Sequence, residues 1–167
     1  MVLPEEKRKS DTPGMAPPET ASPTGGNQKG LVYAEIELIS VDDTALFRHG
    51  YLAENEIKRV RVSALVDSGS YMLVIPNEIK EKLGLRVLGE RMAILANELE
   101  VRGTVVGPVE VRFENRRTTC NAVVLSDQGE VLLGTVPLED LDVVIDPKQQ
   151  KLIVNPDYPY IPLTYAK

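Results

Sequence analysis

Ala64-Leu65-Val66-Asp67-Ser68-Gly69-Ser70 carries an apolar, strand-like run straight into a carboxylate, a hydroxyl residue and a glycine. Burying a carboxylate is costly unless it is hydrogen-bonded or shares a proton, so an acid at the end of a buried strand needs donors close by. Ser68 can donate or accept in a network beneath it. Gly69 lets backbone pass close to the carboxylate or to a bound molecule. Asp, Ser and Gly are also turn formers, so the triplet by itself reads as well as a turn that closes a strand.

Working outward, the alternation of Ile57, Val60, Val62, Ala64 and Val66 with polar residues predicts a strand over 57–66. Val32, Ala34, Ile36, Leu38 and Ser40 alternate in the same way, and a polar stretch with Asp42-Asp43 and His49-Gly50 separates the two strands. After the triplet, Tyr71-Met72-Leu73-Val74-Ile75 is an apolar run of strand length that Pro76 ends. Asn77 is placed to cap a short helix with Ile79 and Leu83 on one face and Gly84 as its stop. Further strands are expected at 86–95, 98–105, 108–113 and 118–125, with turns at Glu114-Asn115-Arg116 and at residues 126–129. Val131-Leu132-Leu133-Gly134 leads to a second short helix opened by Pro137, and strands at 143–146 and 151–154 flank Asp146-Pro147. Many short strands with one or two short helices predict an all-β closed barrel or folded sandwich.

The chain has 167 residues, enough for one domain. Residues 1–30 lack aromatics and isoleucine and are rich in Pro, Gly, Ser and Thr, so they are expected to form a disordered tail. The folded domain is expected over 31–155, and an extended Pro/Tyr-rich tail over 156–167. A net charge of −6 argues against nucleic acid as a partner, because neutralising phosphates takes a basic surface. One histidine, His49, and one cysteine, Cys120, leave no His-rich metal site and no internal disulfide, so neither a metal nor a cofactor is expected. No run is long and apolar enough to span a membrane and no signal-peptide core opens the chain, so the expected compartment is the cytoplasm.

Two elements in order, Leu65-Val66-Asp67-Ser68-Gly69 and, after further strands, Leu132-Leu133-Gly134 before a helix, resemble the retropepsin-like (retroviral-type, clan AA) branch of aspartic peptidases. The resemblance covers residues 31 to about 155. Tyr33-Ala34-Glu35-Ile36-Glu37-Leu38 and Gly107-Pro108-Val109-Glu110-Val111-Arg112-Phe113 look like its small soluble bacterial members. It implies Asp67 as the catalytic acid, supported by Ser68, Gly69 and Ser70, and Leu132, Leu133 and Gly134 as the hydrophobic-hydrophobic-Gly motif. It also implies a flap hairpin near 92–104 with its tip at Ala96, Asn97 and Glu98. The chain departs from the family pattern at that tip, which has no glycine before Gly103. It departs again at Ser70, where many relatives carry alanine. The Ser70 hydroxyl is expected to donate to the ionised carboxylate.

Hydrolysis by this chemistry needs two carboxylates sharing one proton, and the chain has one Asp-Ser-Gly. The resemblance therefore implies half a site per chain, completed by a homodimer that pairs two Asp67 residues and acts on a peptide or protein. Tyr158, Tyr160 and Tyr165 are candidate anchors for the dimer. The alternative is a non-catalytic peptide-binding or dimerisation module with the same fold.

Overall fold

The structure, a computed structural model, describes residues 30–126 and 128–166. The expected tail thus lies, apart from Gly30, outside the described residues, and so does Asp127 of the turn expected at 126–129. The elements below all belong to the unit Leu31–Lys167.

Strand β1, Tyr33–Ser40, buries Ala34, Ile36 and Leu38 while Tyr33 and Glu35 face out, as the period of two demands. Helix α1, Val41–Arg48, then occupies the stretch read as a polar connection. Ser40 ends the strand and also caps the helix, its Oγ accepting from Asp43 N–H at 3.2 Å. Asp42 and Asp43 sit in the first turn, where carboxylates suit the helix dipole. Asp43 is buried and accepts from Lys58 N–H at 2.9 Å and from Lys58 Nζ at 3.1 Å. A 3-10 turn at Glu54–Glu56 leads to β2, Arg59–Val66, which ends at Asp67.

Strand β3, Leu73–Ile75, is followed by α2, Asn77–Leu83. The cap expected at Asn77 is not there: Pro76 holds that position with no side-chain bond, and Asn77 is the first helical residue. Gly84 stops the helix as expected, left-handed at φ 59°, with Gly84 N–H donating to Glu81 O and Leu85 N–H to Lys80 O. Strand β4, Arg86–Ile94, pairs with β5, Glu100–Phe113. The two strands expected at 98–105 and 108–113 are one, its pairing with the next strand skipping from Val106 to Val109 across Gly107-Pro108. A side chain at Gly107 would meet Asn121 Oδ1 at 2.8 Å, and its φ of 144° also favours glycine.

Strand β6, Arg116–Val124, is followed by β7, Val131–Leu133, helix α3, Thr135–Leu141, and the hairpin β8, Val143–Asp146, with β9, Lys151–Val154. Pairing runs β1-β2-β7-β3-β6-β5-β4, and β1 also pairs with β5, so all of these but β4 close into a barrel. The all-β closed barrel expected from the sequence is the observed fold, with three short α-helices among the described residues rather than one or two. Ile36, Leu38, Ala64, Leu73, Ile75, Val109, Val111 and Leu133 fill its interior. Among the described residues no helix is long and apolar enough to cross a membrane.

Among its described residues, 156–166, the stretch after Asn155 has turns but no helix or strand, and it is tied back to the barrel. Arg116, buried at the start of β6, donates through Nη2 to Tyr158 O. Asp142 Oδ2 accepts from Leu163 N–H at 2.8 Å and lies 3.9 Å from Arg116 Nη2, while Asn155 Nδ2 donates to Asp142 Oδ1. These bonds hold the Asp142 carboxyl below its ordinary value, the Leu163 N–H foremost, against an opposing contribution from burial.

Candidate active site

Strands β2 and β7 run parallel, Ala64 beside Val131 and Val66 beside Leu133, so the two turns that follow them meet at one end of the barrel. Asp67 N–H donates to Leu133 O at 3.0 Å. The turn closes on itself: Ser70 N–H donates to Asp67 O at 3.1 Å, and Gly69 N–H to the Asp67 carboxylate Oδ1 at 3.0 Å. A Cβ on Gly69 would stand 3.2 Å from that oxygen, so glycine keeps the acid uncrowded.

Gly134 and Thr135 brace the turn from below. A Cβ at Gly134 would lie 2.3 Å from Met72 O and 2.8 Å from Ser70 O, so only glycine lets the two turns nest. Thr135 N–H donates to Ser70 O at 2.8 Å, and Val136 N–H to Tyr71 O at 3.0 Å. Thr135 Oγ1 lies 3.2 Å from Ser68 O and 3.1 Å from Ser70 O. The sequence pattern did not single out Thr135; its place at the start of α3, directly after the glycine, was the available signal. Ser70 Oγ donates to Met72 O at 3.2 Å. The expected donation from Ser70 to the carboxylate is therefore replaced by a backbone bond inside the turn, a common fate of serine in turns.

Above the turn lies a cleft of about 1050 Å³. Asp67, Gly69 and Ser70 form its floor, Met72, Val74, Val123 and Leu132 a wall, and Arg91 and Ala93 of β4 with Leu95 just past its end the roof. The β4–β5 hairpin reaches over the floor because Gly103 has no side chain; a Cβ there would meet Val123 Cγ1 at 2.5 Å. The glycine that the flap tip lacks is thus present further along, where close packing requires it. At the tip, Leu95 N–H donates to Leu99 O and Glu98 N–H to Leu95 O, both at 2.9 Å. Glu98 takes the left-handed conformation, φ 65°, while the Asn97 side chain accepts from Leu99 N–H at 3.2 Å.

Of the residues named from the sequence, Asp67, Gly69, Ser70, Leu132, Ala96 and Asn97 meet around the cleft. Ser68, Leu133, Gly134 and Glu98 do not line it: the first three belong to the bracing beneath, and Glu98 to the hairpin turn. Tyr71, Met72, Arg91 and Val123 line the cleft without having been singled out, because a hairpin folded over the barrel brings them together and no local motif marks them.

The model of a family described as aspartyl protease matches residues 53–136, a span that begins before β2 and ends just past Gly134. No curated protein matches the chain. Among solved structures the chain is similar to the protease of EIAV complexed with the inhibitor HBY-793, at 17% identity and a TM-score of 0.49, covering 69% of this chain and 91% of that one. It is also similar to a retropepsin-like aspartic protease from Rickettsia conorii, at 21% identity and a TM-score of 0.43, covering 72% of this chain and 88% of that one.

Proposed function

This chain belongs to the aspartyl protease family, and from that premise we propose that it is an aspartic endopeptidase whose catalytic residue is Asp67. The observation that carries the reading is the placement of the Asp67 carboxylate. It lies on the floor of an otherwise mostly apolar cleft, with Gly69 N–H on Oδ1 and a braced turn beneath it. A chain with one such acid supplies half of the required pair, so the working form is a homodimer in which two copies bring their Asp67 carboxylates together. Two adjacent carboxylates hold one proton between them, because both cannot ionise cheaply. The ionised member takes a proton from a water, the protonated member gives one to the scissile carbonyl oxygen, and the water oxygen bonds to the carbonyl carbon. Collapse of the tetrahedral species then breaks the C–N bond, with the amine leaving protonated. The turn's role is to hold each acid still, so that little reorganisation accompanies the reaction.

Asp67→Asn preserves shape and removes the shared proton. Cleavage of a casein or peptide-library substrate should fall by about 10³-fold or more while the circular dichroism spectrum is unchanged. Undiminished cleavage would end the assignment. A second reading, a module that binds peptides or its own copy without cutting, is favoured by one feature, the hairpin tip that turns on Glu98 rather than on glycine. Peptide binding by the wild-type chain with no cleavage across pH 3 to 8, a range of about five units around the carboxyl and histidine values, would select it.

A further inference from the structure

We propose that Arg91 makes this cleft selective for peptides that carry an acidic side chain, Glu or Asp, beneath the β4–β5 hairpin. The inference deepens the peptidase reading and rests on it for the nature of the ligand.

Arg91 sits in β4 opposite Gly103, and the alternation along the strand puts it on the same face as Ala93, with Leu95 following one residue past the strand's end. Those two pack on Val74, Val123 and Leu125, so this face is the one turned to the cleft. The guanidinium is held by soft partners. Nη1 donates to the Met72 thioether, and the cation stands 6.0 Å from the centre of the Tyr71 ring. A thioether is a weak acceptor and a ring face a diffuse one, so both orient the cation and neither neutralises it.

Most arginines elsewhere on the strands are paired. Arg59, Arg61, Arg86, Arg102, Arg112 and Arg116 each have a carboxylate oxygen within 4.0 Å. Among the described residues neither Arg91 nor Arg117 of β6 has one, but Arg117 is exposed away from the cleft and Arg91 lines it, on a chain with 25 acidic residues to 19 basic ones. The charged side chains in the described lining are Asp67 and Arg91, and the rest is largely apolar. A peptide that fills the cleft strips water from Arg91. An apolar side chain at that point leaves the cation desolvated and unpaired, whereas a carboxylate offers the two-pronged acceptor that a guanidinium fits. Discrimination therefore has an attractive and a repulsive part.

The test uses the full chain and its Arg91→Gln and Arg91→Glu variants. Digestion of a randomised peptide library identifies a preferred sequence, and peptides are then made with Glu, Gln or Lys at the enriched position. Wild type should favour the Glu peptide about five- to tenfold in kcat/KM, mainly through KM, as expected for a partly desolvated ion pair. Arg91→Gln should bring the ratio near one, and Arg91→Glu should turn the preference to Lys. The Glu preference should also fade as pH falls through about 4.3, where glutamate protonates. In parallel, fluorescence anisotropy with the Asp67→Asn chain reads the same Glu/Gln ratio as binding, with no cleavage needed. Equal treatment of the Glu and Gln peptides by wild type, or an unchanged ratio in Arg91→Gln, overturns the inference while leaving the peptidase reading intact. A binding preference that depends on Arg91, on a chain that never cleaves, would sustain the inference and defeat the peptidase reading.

Discussion

Asp67 rests on a floor tied in every direction, whereas the hairpin above it is fastened along one side. The floor is crossed by Asp67 N–H to Leu133 O, Thr135 N–H to Ser70 O and Val136 N–H to Tyr71 O, and Gly134 nests against Met72 and Ser70. Among the described residues the roof strand β4 is the edge of the sheet and pairs with β5 alone. The hairpin leaves Met92, Ile94 and Leu99 exposed at 56%, 73% and 58%. The difference has a physical reading. On the proposed peptidase reading Asp67 must keep its geometry, which redundant support serves. On the same reading the hairpin must open at low cost to admit a peptide, and segments with few buried contacts open most readily. The exposed apolar residues of the roof are surface that a bound peptide or a second copy would cover.

The contrast breaks most sharply at Gly134. Gly134→Ala drives a Cβ into Met72 O and should cost about 3 kcal/mol or more, read as a fall in the denaturant midpoint. A loss below about 1 kcal/mol would mean the floor yields as easily as the roof. Next is Thr135→Val, which keeps the volume and removes the hydroxyl between Ser68 O and Ser70 O. It should cost about 1 to 2 kcal/mol and lower kcat more than it raises KM, because the acid rather than the peptide is displaced. At the roof the sign reverses. Glu98→Gly relieves a left-handed residue and should stabilise the chain by about 0.5 to 1 kcal/mol, seen as a higher Tm. A lower Tm would show that the Glu98 side chain supports the tip.

The smallest effect lies at the opposite end of β6, where Asp142 holds the C-terminal stretch. Its folded carboxyl value is depressed, so its contribution to stability is present above the ordinary carboxyl range. That contribution is lost as pH falls through the folded value. Asp142→Asn should therefore be less stable than wild type at pH 7, with the gap closing at acid pH. Access to water keeps the gap small. A gap in Tm that stays constant from about pH 6 to about pH 2 would contradict this origin.

The floor was legible in the sequence because its parts are local. An apolar run into Asp67-Ser68-Gly69, and another into Gly134, are each contiguous, and the parallel pairing of β2 with β7 brings them together. Most strands were legible for the same reason, their period of two persisting over several residues. Helix α1 was not, because Ser40 serves both as last strand residue and as cap, and Asp42-Asp43 suit a turn as well as a helix start. The roof was legible as a hairpin with its tip at the site, but the residues of its strand that line the cleft were not. Arg91 acquires its meaning from Tyr71 and Met72, and Gly103 from Val123, across the cleft. The Ser70 hydroxyl was misdirected in the same way, since the Met72 carbonyl that takes it is placed by the following strand.

The account stands on an acid shared between two copies, and mixing tests it most directly. Wild-type chain, at a concentration where activity per chain is saturated, is titrated with Asp67→Asn chain and allowed to exchange before cleavage of a peptide substrate is measured. If both Asp67 carboxylates are needed, random pairing at equal amounts leaves about half of the wild-type chains in productive pairs. Activity should fall to about half, and continue to fall as the variant is added in excess. Activity that stays constant across the titration would contradict a site built from two Asp67 residues.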